Sequence, residues 1–500
     1  MTSTYVLDAR RRAEDLAATR GGELLDVLVI GGGVTGTGVA LDAASRGLSV
    51  ALVDKTDLAA GTSRWSSKLA HGGLRYIAAG QLGVAWESMV ERNHLLRTIA
   101  PHLVQPMRFV IPSLPSNGIG DRMLGRIGFG LGDVMRAAAR TPAALPATRW
   151  VGAAEARSLA PALRADVSGG FLHVDGALED DVRLVVAIAR TAAAYGARII
   201  THCAAVDVTA HGATVEDTLT GERIDVDARC VIAATGVWTG GLVDGVPVQP
   251  SKGAHVLLPA AALGFPTAAF NILVPGSRNR FVFAVPRPDG TVQVGLTDDV
   301  VDGVVDEPEV TEDDERFLLE TLSSGLETEL TSGDVIGRFA GLRPLLGHAR
   351  GSSAADLSRR HALLDRGGVL VIVGGKLTTY RRMAQDAVDL AMRRLGRDDA
   401  CRTTTLPLVG AVGNISSTTA NVPDRLLRRF GCEAAQVAAA GPVEPIAADL
   451  PMLKCEADWA VQAEGAVTAA DVERRLRLDL VPAWRDAAQG YVEDVVARSC

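Results

Sequence analysis

Lysine is scarce in this chain. Five residues, Lys55, Lys68, Lys252, Lys376 and Lys454, stand against 46 arginines in 500 positions. With 59 acidic residues the formal charge is −8, which argues against a nucleic-acid surface, and no nucleic acid is expected as a partner. Aromatic residues make up 4% of the chain, too few for base-stacking platforms. The six cysteines are scattered, with no CxxC pair and no His/Cys cluster at ligand spacing. Neither disulfides nor a metal site is therefore expected. The longest uncharged stretch, 253–277, is broken by Pro259, Pro266 and Pro275 and cannot form a spanning helix. The N-terminal residues lack the apolar core of a secretory signal, so a cytoplasmic location is expected.

What is present begins with the apolar run from Asp26 to Ile30, which reads as a strand and is followed by glycines and a helix-like stretch through Arg46. A second strand, Leu48 to Val53, ends in Asp54. Strand, turn, helix, strand and acid occupy about thirty residues, the size of a right-handed βαβ crossover. Gly31, Gly33 and Gly36 form G-x-G-x-x-G in that setting, and Ala40 keeps the following helix slim. A bare glycine pattern decides little in a chain with 53 glycines, but this context points to a bound dinucleotide. Gly31 permits the tight turn, Gly33 admits a pyrophosphate, Val34 opens the helix whose amides face it, and Asp54 accepts ribose hydroxyls. The pattern does not recur, so one dinucleotide is expected.

Further along, Trp86 to Ala100 reads as helix and Met107 to Pro112 as strand. The stretch from Ile119 to Arg140 alternates apolar residues with arginines, as in a basic amphipathic helix, with an ordinary packed helix equally in view. Short β-type segments between Lys252 and Asp299 suggest an antiparallel sheet, and Thr311 is placed to cap a helix from Glu312 to Leu322. The run from Gly367 to Gly375 leads into a helix through Leu395, a second strand-to-helix junction far from the first, so the dinucleotide-binding unit is discontinuous. Beyond Arg402 the chain turns polar and then helical. The expected class is α/β: a discontinuous Rossmann-like domain, an antiparallel-sheet domain and a helical C-terminal domain.

Several polar motifs stand out from this frame. GTSRWSSKLAHGGLRY (Gly61 to Tyr76) collects hydroxyls, glycines, His71, Arg75 and Tyr76, although a polar surface loop would read the same way. SKGAH (Ser251 to His255), GLRPLLG around Arg343, LSRRH around Arg359 and GGKLTTY around Lys376 are the others. GGKLTTY follows an apolar strand directly and opens a helix, so its amides and Lys376 can meet negative charge. His71 and His255 sit in glycine-flanked motifs and are the candidates for proton transfer. His94, His102, His173, His202 and His211 have no convergent partners in sequence and read as structural or surface residues.

Together, DVLVIGGGVTGTGVALDAASRGLSVALVDKTDLAAGTS, SSKLAHGGLRY, PHLVQPMRFVIP, SKGAHVLLP, GLRPLLG and VGGKLTTYRRMA resemble the FAD-dependent glycerol-3-phosphate dehydrogenases, within the FAD-linked oxidoreductases related to D-amino-acid oxidase. They lie in order from Asp26 to Ala384, about three quarters of the chain. The resemblance implies oxidation of glycerol 3-phosphate to dihydroxyacetone phosphate, hydride passing to FAD and electrons to a membrane quinone, at the inner face of the cell membrane through peripheral association. A glycerol-3-phosphate oxidase using O2 and a non-catalytic flavin-binding homologue are the rivals, and a homodimer is one of the assemblies left open.

The domains implied are FAD-binding segments 24–106, 151–250 and 335–398, substrate-covering segments 107–150 and 251–334, and a helical domain 399–500. His255, with His71 as alternative, would be the base. Arg343, Arg359 and Lys376 would receive the phosphate and developing alkoxide, with Arg75 and Tyr76 lining the site. FAD contacts would come from Gly31, Gly33, Val34, Gly36, Asp54, Thr62, Ser63, Ser67, Lys68 and Leu69. Gly375, Lys376, Leu377 and Thr378 would lie near the ring, and Val206 would meet the adenine end through its backbone. Two departures from the family pattern stand out: Asp54 replaces a frequent Glu, and the match loosens beyond Arg402.

Overall fold

A computed structural model describes residues 5–73, 76–77, 80–115, 119–141, 145–277, 280–347, 360–411 and 421–498. Two sheets organise them. The first comprises β1 (Leu25–Ile30), β2 (Val50–Val53), β7 (Arg198–Ile200), β8 (Cys203–Thr209), β9 (Gly212–Asp217), β10 (Glu222–Ala233), β17 (Ala362–Arg366) and β18 (Val369–Val373). Its centre, β18-β10-β1-β2-β7, is parallel. Where these strands pair centrally, at residues 27–30, 50–53, 230–233 and 369–373, they are apolar runs because both faces of the sheet are covered. The helices Val34–Ser45, Asp181–Ala194 and Tyr380–Arg394 close one face; Leu16 of the N-terminal helix and the β8–β9 ribbon close the other.

The second sheet comprises β3 (Leu69–Ala70), β4 (Val104–Pro112), β5 (Arg149–Gly152), β6 (Gly169–Leu178), β11 (Val248–Pro259), β12 (Ala269–Leu273), β13 (Phe281–Pro286), β14 (Thr291–Gly295), β15 (Asp299–Val300) and β16 (Gly337–Leu346). It is antiparallel apart from the β12–β4 pair. The helix Glu312–Ser323 packs on it, started by a capping box in which Thr311 and Asp314 satisfy each other's amides.

This sheet draws on more of the chain than the expected boundaries allow. β6 lies within 151–250 and β16 within 335–398, segments assigned from sequence to the FAD-binding domain. β6 is paired along β4 from Val104–Leu178 to Pro112–Gly170, and β16 along β11 from Val248–Leu346 to Leu257–Gly337. Such non-local pairing leaves no mark on local composition, and β4 and β11 each need a partner for their open edges.

After residue 421 the chain is helical: Asp424–Phe430, Ala434–Ala440, Lys454–Ala463, Ala469–Leu476 and Pro482–Ala497. It is joined to the first unit by buried ion pairs. Arg183 grips Glu464 with both terminal nitrogens, Arg190 grips Glu433 at 2.7 and 2.8 Å, and Arg475 grips Asp57 at 2.6 and 2.7 Å. Paired on both sides, these guanidiniums are tolerated away from water; removing one carboxylate would strand a buried cation.

Candidate active site

The turn after β1 is shaped by its glycines. Gly31 has φ +112°, open to glycine and strained for other residues, and a Cβ on Gly36 would overlap the Gly31 carbonyl oxygen, so the helix sits hard against the strand. Gly32 N–H donates to Asp54 Oδ2 at 2.6 Å, and Val34 N–H donates to Ser63 Oγ at 2.9 Å. Burial pushes the Asp54 carboxyl above its ordinary value, with the nearby Asp57 charge adding to the rise against hydrogen bonds from Gly32 and Thr56.

From this turn a cavity of about 940 Å³ runs between the two sheets, at the upper end of the range for ligand sites. Asp54, Lys55 and Thr56 line it beside the turn; Gly374, Gly375, Lys376, Leu377 and Thr378 line it where β18 ends; His71, Tyr76, His173 and His255 line the part walled by the second sheet. The residues present fit a flavin dinucleotide: the glycine cradle has no room for side chains, and β18 delivers a second amide-rich turn opposite it. Gly375 has φ +75°, and a Cβ there would overlap Met383.

His255 is 1% exposed on β11. Its ring stacks on Phe339 at 4.6 Å, its Nε2 lies 3.1 Å from Ser67 Oγ, and its Nδ1 is buried with no hydrogen-bond partner. Burial, then the charges of Lys68 and Arg343, hold the imidazole well below its ordinary pKa, so it is neutral at pH 7. Lys376 Nζ donates to Ser88 Oγ at 2.8 Å and stands 3.5 Å from the centre of the Tyr76 ring. Arg343 is fixed by Asp298 Oδ1 and the Lys252 carbonyl, each at 3.2 Å, and by the Thr297 carbonyl at 3.3 Å. Its guanidinium occupies the space a side chain at residue 253 would need, which accounts for the glycine in SKGAH.

The fold thus brings His71, Tyr76, His255, Arg343 and Lys376 to one cavity, with Gly31, Gly33, Val34, Asp54, Thr62, Ser63, Ser67, Leu69, Gly375, Leu377 and Thr378. Arg75 and Arg359 lie outside the described residues. Gly36 serves helix packing instead of the cavity wall. Lys68 points away: its ammonium is buried 3.4 Å from Asp181, and burial pulls its pKa down to about 8. The Val206 side chain is 45% exposed at a β-bulge, while its neighbours on the strand, Cys203 and Ala205, line the cavity.

Sequence reasoning set His173 aside, yet it lines the cavity. β4–β6 pairing puts it opposite Phe109, and their rings stack at 5.1 Å. Two residues on, on the same face of β6, Asp175 takes Arg92 at 2.7 Å and Gly72 N–H at 2.9 Å. Burial alone would raise the Asp175 carboxyl, but Arg92 and then His71 hold it below its ordinary value. The i, i+2 spacing of His173 and Asp175 on a strand was the available signal; their convergence with His71 was not legible.

A parallel sheet with a glycine cradle, facing a second sheet across a cavity that holds a neutral buried imidazole, defines a dinucleotide-dependent oxidoreductase. A family profile described as FAD dependent oxidoreductase matches residues 26–381, and one described as the C-terminal domain of alpha-glycerophosphate oxidase matches 401–499. The chain belongs to the FAD-dependent oxidoreductase family and takes FAD as its cofactor.

It is 46% identical, over the full length of both chains, to glycerol-3-phosphate dehydrogenase 1 of Mycobacterium tuberculosis. To glycerol-3-phosphate dehydrogenase 2 of that organism it is 36% identical, covering 92% of this chain and 82% of the relative. The crystal structure of the Bacillus halodurans glycerol-3-phosphate dehydrogenase complexed with FAD is similar with a TM-score of 0.74 at 25% identity, covering 98% of this chain and 94% of that one. The fold is also that of the Mycoplasma pneumoniae L-alpha-glycerophosphate oxidase with FAD bound, at a TM-score of 0.58 and 20% identity, over 77% and 99% of the two chains.

Proposed function

We propose that this chain oxidises sn-glycerol 3-phosphate at C2 to dihydroxyacetone phosphate and passes the electrons to a membrane quinone. The observation that carries the reading is the set of side chains on the cavity wall: a buried neutral imidazole, His255, in one enclosure with the cations Lys376 and Arg343. Full-length identity of 46% to a protein named glycerol-3-phosphate dehydrogenase supports the substrate.

Bound FAD supplies the hydride acceptor. His255 takes the C2 hydroxyl proton at Nε2, the substrate hydroxyl displacing Ser67 Oγ, which lies 3.1 Å from that nitrogen. His71 is the alternative base, facing Asp175 from the neighbouring loop. Lys376 stabilises the developing alkoxide, and Arg343, together with Arg359, receives the phosphate, for which a guanidinium fork is suited, with Arg75 lining the site. Tyr76 holds the Lys376 ammonium against its ring face.

Quinone use entails contact with a membrane. Among the described residues no helix is long and apolar enough to cross one. Leu131 and Val134 on the helix Ile119–Ala138, and Leu82 and Trp86 on the helix Leu82–His94, are exposed apolar residues that support surface binding. The C-terminal match to an oxidase domain supports a second reading, in which O2 is the acceptor.

Anaerobic addition of glycerol 3-phosphate should bleach the flavin absorbance, and turnover should follow a quinone analogue. An unchanged spectrum would remove the dehydrogenase reading; peroxide released in proportion to turnover would replace the quinone with O2. Failure of the protein to sediment with anionic liposomes at low salt would remove the membrane contact.

A further inference from the structure

The cavity wall includes one residue from the helical C-terminal unit. Arg474 lies on the helix Ala469–Leu476 and lines the same space as the glycine cradle. Its Nη1 donates to Asp57 Oδ2 at 2.7 Å and to Asp471 Oδ1 at 3.2 Å. Asp57 is fully buried and is held from behind by both terminal nitrogens of Arg475. Asp57 also stands three residues after Asp54, close enough for its charge to reach that carboxyl. Arg474 is therefore anchored at the end of the cavity bounded by Asp54, Lys55 and Thr56, where the ribose of a Rossmann-bound dinucleotide is read.

The geometry leaves its donors incompletely used. Arg474 is 9% exposed, its Nε is buried without a hydrogen-bond partner, and among the described residues its Nη2 has no protein acceptor. A guanidinium carries five N–H donors and, when buried, normally finds acceptors for them. Among the described residues, the protein acceptors of Arg474 are both taken by Nη1, Nε is closed off, and the side chain lines the cavity with Nη2 as its spare donor.

We propose that Arg474 is a cofactor-binding residue supplied by the C-terminal unit, its spare donors meeting oxygen acceptors on the adenosine half of FAD. Docking of the helical unit and retention of the cofactor are then coupled, because the same side chain ties the unit to Asp57 and the dinucleotide to the unit. This rests on the family's FAD and is independent of the identity of the substrate.

The test uses full-length apoprotein stripped of FAD and titrated with FAD or with ADP, reading flavin fluorescence and calorimetry, with melting curves before and after. Arg474→Gln should bind both FAD and ADP roughly 10- to 100-fold more weakly, with a smaller FAD-induced rise in melting temperature. Arg485→Gln, which removes an exposed charge paired with Glu473 on the neighbouring helix, should leave both affinities unchanged.

An Arg474→Gln protein that melts lower as apoprotein yet keeps the wild-type FAD affinity and FAD-induced rise would overturn the proposal, leaving the residue a structural tie. Weaker FAD binding with unchanged ADP binding would overturn the adenosine-end assignment. If Arg474→Gln does not fold, Arg474→Lys, which keeps a donor for Asp57 and loses the fork, should weaken FAD binding at an unchanged apoprotein melting temperature; an unchanged affinity there overturns the proposal equally.

Discussion

Replacing His255 by Gln separates the chemistry of the imidazole from its packing. The ring loses its stack on Phe339 at 4.6 Å, worth about 0.5–1.5 kcal/mol, while a glutamine amide can still reach Ser67 Oγ. The fold should therefore lose about 1 kcal/mol, well within ordinary stability. Loss of a general base costs about 10²- to 10⁴-fold in rate, or about 2.7 to 5.4 kcal/mol of barrier.

The assay is the anaerobic rate of flavin reduction by glycerol 3-phosphate in the holoprotein, followed by stopped flow. The pH profile adds a second reading. An imidazole with an ordinary pKa near 6.5 would be only about one quarter neutral at pH 6. Burial, then Lys68 and Arg343, hold His255 well below that value, so the wild-type rate should show no histidine limb between pH 8 and 6. A variant within about tenfold of wild type, or a wild-type profile bending near pH 6.5, would refute His255 as the base and favour His71.

Three further outcomes follow from the same geometry. Lys376→Arg keeps the charge but cannot fit a planar fork between Ser88 Oγ and the Tyr76 ring; reduction should slow by about 10-fold or more with FAD content unchanged, and full activity would refute the need for an ammonium. Gly253→Ala pushes a methyl into the Arg343 guanidinium and drives it off its Asp298 and carbonyl partners; the KM for glycerol 3-phosphate should rise together with a fall in melting temperature, and an unchanged KM would remove Arg343 from the phosphate site. His102 and His173 are each lowered to about 4 by burial. The unfolded chain, with histidine near 6.5, binds more protons below that pH, so unfolding free energy should fall by up to about 1.4 kcal/mol per pH unit per histidine between pH 6.5 and 4. Urea titrations of wild type and His102→Gln across that range should differ in slope; identical slopes would contradict the shift.

The scarcity of lysine acquires a sharper meaning in three dimensions. Lys252 pairs with Asp314 at 2.5 Å and Lys68 lies on Asp181, both away from the cavity, whereas Lys55 and Lys376 line it. Lys55 is itself bound to Asp306 at 2.9 Å, and that same carboxylate takes Trp238 Nε1 at 2.8 Å. Four lysines in motifs thus divide into two structural ties, one tie that also walls the cavity, and Lys376. The arginines include the buried pairs, Arg183, Arg190 and Arg475 among them, that hold the C-terminal unit in place.

The sequence by itself determined the glycine turn, the strand before it, the acid after it and the second turn at Gly375, because each depends on a few adjacent residues with strict steric demands. It also placed His255, Lys376 and Arg343 within motifs whose glycines make room for them. Only the tertiary structure decided that β6 and β16 join the second sheet, that His173 and Asp175 face the cavity from β6, that Lys68 turns to Asp181, and that Arg474 reaches the cavity from the last hundred residues. Those outcomes come from pairings between strands and ions distant in the chain, and such pairings are chosen by edge hydrogen bonding and by the cost of burying an unmatched charge, neither of which is written in any local stretch.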